Sequence, residues 1–210
     1  WPHDLGCWGD GAMISRKDLS LLILIIVVGA VVAIINPRFL SPINLSNTAN
    51  LIGLFGIFAV AQAFVIISGG IELSVGSIIA LLGVLFVDLV AAGSLSPGIA
   101  FLVVLALGCL IGLLHGFLVA RVGLQPFVVT LCGLLIYRGI ARYYTEDATA
   151  GFPFGASFPT LEWLVAGRLY GVPHSLIAFL LITIVMGIVL HRSVYGRHLF
   201  AVGKSEEAAR

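Results

Sequence analysis

The sequence predicts an all-α fold, a polytopic transmembrane helix bundle with about six spans, and three observations predict it. Of 210 residues, 60% are hydrophobic and only 10% charged, and the mean hydropathy is +1.15. A soluble domain needs far more charge to cover its surface. Six apolar runs approach the roughly 20 residues that a hydrocarbon core of about 30 Å demands of a helix. The charges sit at the ends of those runs, and a net charge of +1 supplies no basic field for nucleic acid.

The opening WPHDLGCWGDGA lacks the basic n-region and adjoining apolar core of a signal peptide. Met13 followed by ISRKD reads as a better start, so residues 1–18 are expected to be a cytoplasmic segment that is in part an artefactual extension. The spans are then residues 19–35, 51–67, 75–92, 99–120, 127–144 and 175–190. Breakers delimit them: Asn36-Pro37 after the first, Ser96-Pro97-Gly98 before the fourth, Gln125-Pro126 before the fifth and Pro173 before the sixth. Residues 19–190 thus form the membrane domain, with 191–210 a cytoplasmic segment. In the fourth span Gly108, Gly112 and Gly116 recur on one face, which predicts close approach of another helix, and Gly76 with Ala80 is a weaker copy.

Placing Arg16 and Lys17 in the cytoplasm collects Arg121, Arg192, Arg197, Lys204 and Arg210 on the same side and leaves Arg38 and Arg168 opposite. The N-terminus is therefore expected inside. Residues 145–174 become the long external segment, whose Phe152, Phe154, Phe158, Trp163 and Tyr170 read either as an interfacial aromatic belt or as a docking surface for an external protein.

Ionisable groups in a bilayer cost about 2.5 to 3.5 kcal/mol each on insertion scales, so each is a functional candidate. Glu72 stands in SGGIELSVGS, residues 68–77, between two apolar runs. Either the stretch is a tight cytoplasmic turn, or it is a broken helix lying deeper, whose free backbone groups line a water-filled path. Arg138 lies midway along the fifth span; it either snorkels outward or pairs with Glu72 or Asp88 across the bundle, while Arg142 has Glu146 at i+4. Gln62 and His115 are expected to be satisfied by neighbouring helices. Cys7, Cys109 and Cys132 lack metal-ligand spacing, and no HExxH, GxSxG or Walker loop occurs, so no catalytic residue, metal site or cofactor is assigned to the chain.

Three stretches carry a family resemblance. VIISGGIELSVGSIIAL (65–81), QPFVVTLCGLLIYRGIA (125–141) and RSVYGRHLFAVGKSEEAAR (192–210), in that order, resemble segments of the permease subunits of bacterial ABC importers for monosaccharides, the ribose, xylose and galactose group. Glu72 replaces a commoner Asp, and Lys204-Ser205 a commoner Gly-Asn. The resemblance, joined to the local chemistry, implies a translocation path lined by Gln62, Ser68, Gly69, Gly70, Glu72, Ser74 and Ser77, with Arg138 as an intramembrane charge partner. It implies an ATPase-coupling element at Gly203, Lys204, Ser205, Glu206, Glu207, Ala208, Ala209 and Arg210. It also implies an inner-membrane location and three partners: an ATPase subunit that uses the ATP, an extracytoplasmic sugar-binding protein and a second permease copy or paralogue. Family members continue beyond the Glu-Ala-Ala-Arg element, so the chain is expected to be a fragment or truncated product holding an incomplete permease domain. Two other classes compete. An ion-coupled secondary transporter would use Glu72 and Asp88 but calls for an internal repeat that is not evident, and an intramembrane hydrolase would need Ser68 and His115 in a geometry that nothing fixes.

Overall fold

The computed structural model describes residues 16–93, 95–152, 155 and 157–205. The chain divides into two units, residues 1–49 and 50–210. In the first, α1 (Arg16–Ile35) ends before Pro37, which cannot continue an α-helix, and a 3₁₀ turn (Pro37–Leu40) follows. The Asn36 side chain caps that turn by accepting from Arg38 N–H at 3.1 Å. Asn44, in the first turn of α2 (Pro42–Ile67), donates to the Phe39 carbonyl at 2.8 Å and closes the corner.

The second unit contains the rest of α2, then α3 (Val75–Ala91), α4 (Pro97–Ala120), α5 (Pro126–Thr145), α6 (Pro159–Ala166), α7 (His174–Arg192) and α8 (Val194–Lys204). A two-residue antiparallel hairpin, β1 (Arg168–Leu169) with β2 (Val172–Pro173), leads into α7. Proline opens α4, α5 and α6 near the first helical position, where its missing N–H costs nothing. The predicted breakers therefore start α4 and α5 where the sequence indicates, whereas α6 was not expected.

Among the described residues, three helices are long and apolar enough to cross a membrane: α2, α4 and α7. Residues 19–35 of α1 and the whole of α3 are shorter apolar helices. Helix α5 falls outside both groups, because Arg138 and Arg142 lower its hydropathy. Apolar side chains cover these helices on most faces, and few are buried by protein, as expected of helices solvated by hydrocarbon. The packed centre lies where α3 meets α4 and α5, at Leu81, Val90, Ala100, Val104, Val129 and Ala141. Helices α2 and α7 meet where Ser175 Oγ donates to Asn50 Oδ1 at 2.6 Å.

Two sequence expectations need correction here. Gly108 approaches Leu82 of α3, but Gly112 and Gly116 face nothing within contact distance among the described residues, and Gly76 likewise. The fourth-span glycine face is thus only partly used by this chain. Arg142 pairs with Asp147 at 2.5 Å, not with Glu146. The helix ends at Thr145, Glu146 turns left-handed as its C-cap (φ 50°), and the i+4 relation no longer applies. The Arg142 guanidinium, by hydrogen bond and charge, holds the Asp147 carboxyl below its ordinary range. That contribution is present above the usual carboxylate value and lost as pH falls through the lowered one, and full exposure of the pair keeps it small.

Candidate functional site

The glycine pair of SGGIELSVGS terminates α2. Gly69 takes φ +79°, a left-handed conformation that favours glycine, and donates to the Ile66 carbonyl at 3.0 Å while Gly70 N–H reaches the Val65 carbonyl at 3.0 Å. This is a Schellman end, with Gly70 lying against the Val65 side chain. Ser68 Oγ donates to the same Val65 carbonyl at 2.8 Å and so gives it a second donor.

After this stop the chain runs irregularly over residues 70–74 and turns back among the helices. Gln62 Nε2 donates to the Glu72 carbonyl at 3.0 Å. Gln62 precedes the end of α2 by enough residues to lie about 7 Å up its axis at 1.5 Å per residue. Thr130 Oγ1, one turn into α5, donates to the Ile71 carbonyl at 3.1 Å. The carboxylate of Glu72 stands 3.7 Å from Nδ1 of His115, which lies more than one turn inside the end of α4. Three helices thus fix one segment at one level, more than a turn inside their ends. Ile71 and Glu72 are thereby held among the helices by side chains of α2, α4 and α5.

Glu72 also starts the next helix. Its Oε1 accepts from Ser74 N–H at 2.6 Å and Ser74 Oγ at 2.5 Å, and Ser77 Oγ donates to the Ser74 carbonyl at 2.7 Å. A carboxylate at a helix N-terminus satisfies free N–H groups and meets the positive end of the dipole. Ser74 is fully buried, Ser77 nearly so, and the Glu72 and His115 side chains are 17% and 10% exposed. On its other side His115 Nε2 lies 2.9 Å from the Tyr137 hydroxyl of α5, with the two rings stacked. Gly133 makes room for this, since a Cβ there would meet the imidazole at 2.9 Å.

The structure therefore gathers Gln62, Ser68, Gly69, Gly70, Glu72, Ser74 and Ser77 in one place and adds Thr130, His115 and Tyr137. Arg138 is not brought to Glu72. It is exposed on α5 and makes no ion pair among the described residues, so the ionisable side chain opposite Glu72 is His115. Sequence reasoning left out Thr130 and Tyr137. Their signal was available: Thr130, Gly133 and Tyr137 recur at i, i+3 and i+7, one face of α5. Asp88 is at the far end of α3, accepting from the Tyr144 hydroxyl at 2.6 Å beside an open cleft of about 270 Å³.

Gly203 and Lys204 close α8, and Ser205 is its C-cap; Glu206, Glu207, Ala208, Ala209 and Arg210 lie outside the described residues, as does Phe154. Helix α8 runs beside the end of α2, where Tyr195 stacks on Phe64 with ring centroids 6.5 Å apart. A Cβ on Gly203 would meet the Ile67 carbonyl oxygen at 1.9 Å. The last turn of α8 thus touches the residue from which the broken segment departs.

An apolar helical protein with an irregular polar segment held among its helices defines a multi-pass membrane protein of the permease kind. Residues 44–210 match the family described as branched-chain amino acid transport system / permease component, and the chain belongs to that family. It is 33% identical over 203 residues to the ribose import permease protein of Bacillus subtilis (strain 168), which covers 95% of this chain and 60% of that protein. With the ribose import permease protein of Escherichia coli (strain K12) the identity is 32% over 198 residues, 94% of this chain and 60% of that one. The autoinducer 2 import system permease protein of Enterobacter sp. (strain 638) is 36% identical over 197 residues, 92% of this chain and 59% of its own length. The chain thus spans about 60% of the length of these curated relatives, which are transport permeases. No solved structure matches the chain.

Proposed function

We propose that this chain is the membrane-spanning permease subunit of an ABC-type sugar importer and forms the translocation path for a monosaccharide delivered by an external binding protein. The observation that carries the reading is the broken segment at residues 68–77, held inside the helix ends by Gln62, Thr130 and His115. A hydroxyl-rich neutral solute needs a path of moderate polarity, and irregular backbone within a membrane persists only where protein or a water-filled cavity satisfies it. The names of the curated relatives, ribose import permeases among them, favour a sugar over the branched-chain amino acids of the family description. The family likeness also implies that separate ATPase subunits supply the energy, pressing on the element around Gly203 to rock the helices between inward and outward access. Ion-coupled transport is disfavoured, because Glu72 and Asp88 stand at opposite ends of α3 instead of converging on one cavity.

The test is co-purification followed by reconstitution. Membranes expressing the chain are expected to yield a nucleotide-hydrolysing subunit bound to it, and vesicles holding the complex with its binding protein should take up ribose only with ATP. Uptake driven by an ion gradient without ATP overturns the reading.

The proposed orientation makes a separate prediction. In a background lacking the three native cysteines, a cysteine at Ser157 should label from outside the cell and one at Ser193 only after permeabilisation. The opposite pattern reverses the topology and removes residues 145–174 from the face open to a binding protein.

A further inference from the structure

We propose that His115 is the positioning residue of the broken segment and holds Glu72 in place through the charge on its imidazole. For its consequence in transport this rests on the permease reading; the geometry stands without it. The ring sits between two polar partners from different elements, Tyr137 of α5 at 2.9 Å from Nε2 and Glu72 of the α3 lead-in at 3.7 Å from Nδ1. Gly133 leaves the volume that the ring occupies.

The Tyr137 hydroxyl suits both protonation states of the ring. It donates to Nε2 when the imidazole is neutral with its proton on Nδ1 and accepts from Nε2–H when it is charged, so Nε2 keeps its partner in both states. The charged state attracts the Glu72 carboxylate across the remaining gap far more strongly than the N–H dipole of the neutral ring, and in surroundings this enclosed that attraction is screened far less than in water. The Glu72 carboxylate in turn holds Ser74 N–H and Oγ, the first contacts of α3. A proton on His115 therefore fixes the start of α3 against α4 and α5, and its loss releases one of the three attachments of the segment. The titratable groups facing the ring are these two alone among the described residues: Asp88, the other acid on α3, is engaged by Tyr144 at the opposite end, and Arg138 is exposed on α5.

Thiol labelling reads this without transport, so its outcome is independent of the uptake test. A cysteine replaces the buried Ser77 in a background lacking Cys7, Cys109 and Cys132, and permeabilised membranes are treated with a small methanethiosulfonate, rates being normalised to a free thiol at each pH. Between about pH 5 and pH 8, where imidazoles exchange their proton, the normalised rate is expected to rise about fivefold, the low end of typical coupling between sites. His115→Gln, which keeps size and hydrogen bonding but cannot charge, should label fast at every pH. Glu72→Gln, which removes the other charge, should be flat as well. A rate independent of pH in the protein with His115 overturns the proposal, as does a pH limb that persists in His115→Gln.

Discussion

Replacing Gly203 by alanine is expected to cut ATP-driven uptake by roughly 5- to 150-fold, the range that about 1 to 3 kcal/mol of coupling spans, while leaving the protein in the membrane. The added methyl would fall 1.9 Å from the Ile67 carbonyl oxygen. Backbone on both sides makes the collision rigid, and overpacking of this kind costs about 1 to 3 kcal/mol. The last turn of α8 must then lift from α2, and the push proposed to reach residues 68–77 loses its point of application. Helix α8 itself should persist, because Ser193 caps it through Gly196 N–H at 3.1 Å and Tyr195 still stacks on Phe64. The measurement is a ratio: ATP hydrolysed per sugar taken up in vesicles, with membrane abundance as control. An unchanged ratio would remove Gly203 from the coupling route, whereas a raised ratio at normal abundance assigns it there.

The fold was legible in the sequence because the bilayer imposes length and proline imposes ends. Pro97 and Pro126 open α4 and α5 within two residues of the expected starts, and α3 and α7 follow their apolar runs closely. Helix α6 and the hairpin at residues 168–173 were not legible, since a segment rich in glycine, proline and aromatics offers no sustained period. The site was half legible. Its local members, from Ser68 to Ser77, declared themselves as polar residues where hydrocarbon was expected. The members from other helices did not, because nothing in local spacing says that Thr130 faces Ile71 or that His115 faces Glu72. Charge invited the wrong partner: Arg138 carries a permanent charge and His115 does not, yet an arginine on the exposed side of α5 reaches outward, and the smaller imidazole fits the space that Gly133 leaves.

That choice of partner sets the second large effect. Glu72→Gln should lower uptake strongly at near-normal abundance, because glutamine still offers Ser74 an acceptor oxygen but loses the charge, and hydrogen bonds to charged groups contribute about 1.5 to 3 kcal/mol. Glu72→Ala should also lower abundance. It strands Ser74 N–H and Oγ in a fully buried position and leaves His115 facing no carboxylate, and breaking such a buried charged contact costs about 3 to 5 kcal/mol. Double-mutant cycles then separate the two candidate partners. With His115→Gln the losses should be non-additive, the double variant being no worse than Glu72→Gln alone, because one interaction is removed twice. With Arg138→Gln they should add, since the two side chains share no contact among the described residues. A cycle in which Arg138 couples to Glu72 and His115 does not would return the charge partnership to Arg138. Normal uptake in Glu72→Gln at normal abundance would take the carboxylate out of the path altogether and leave it the structural task of starting α3.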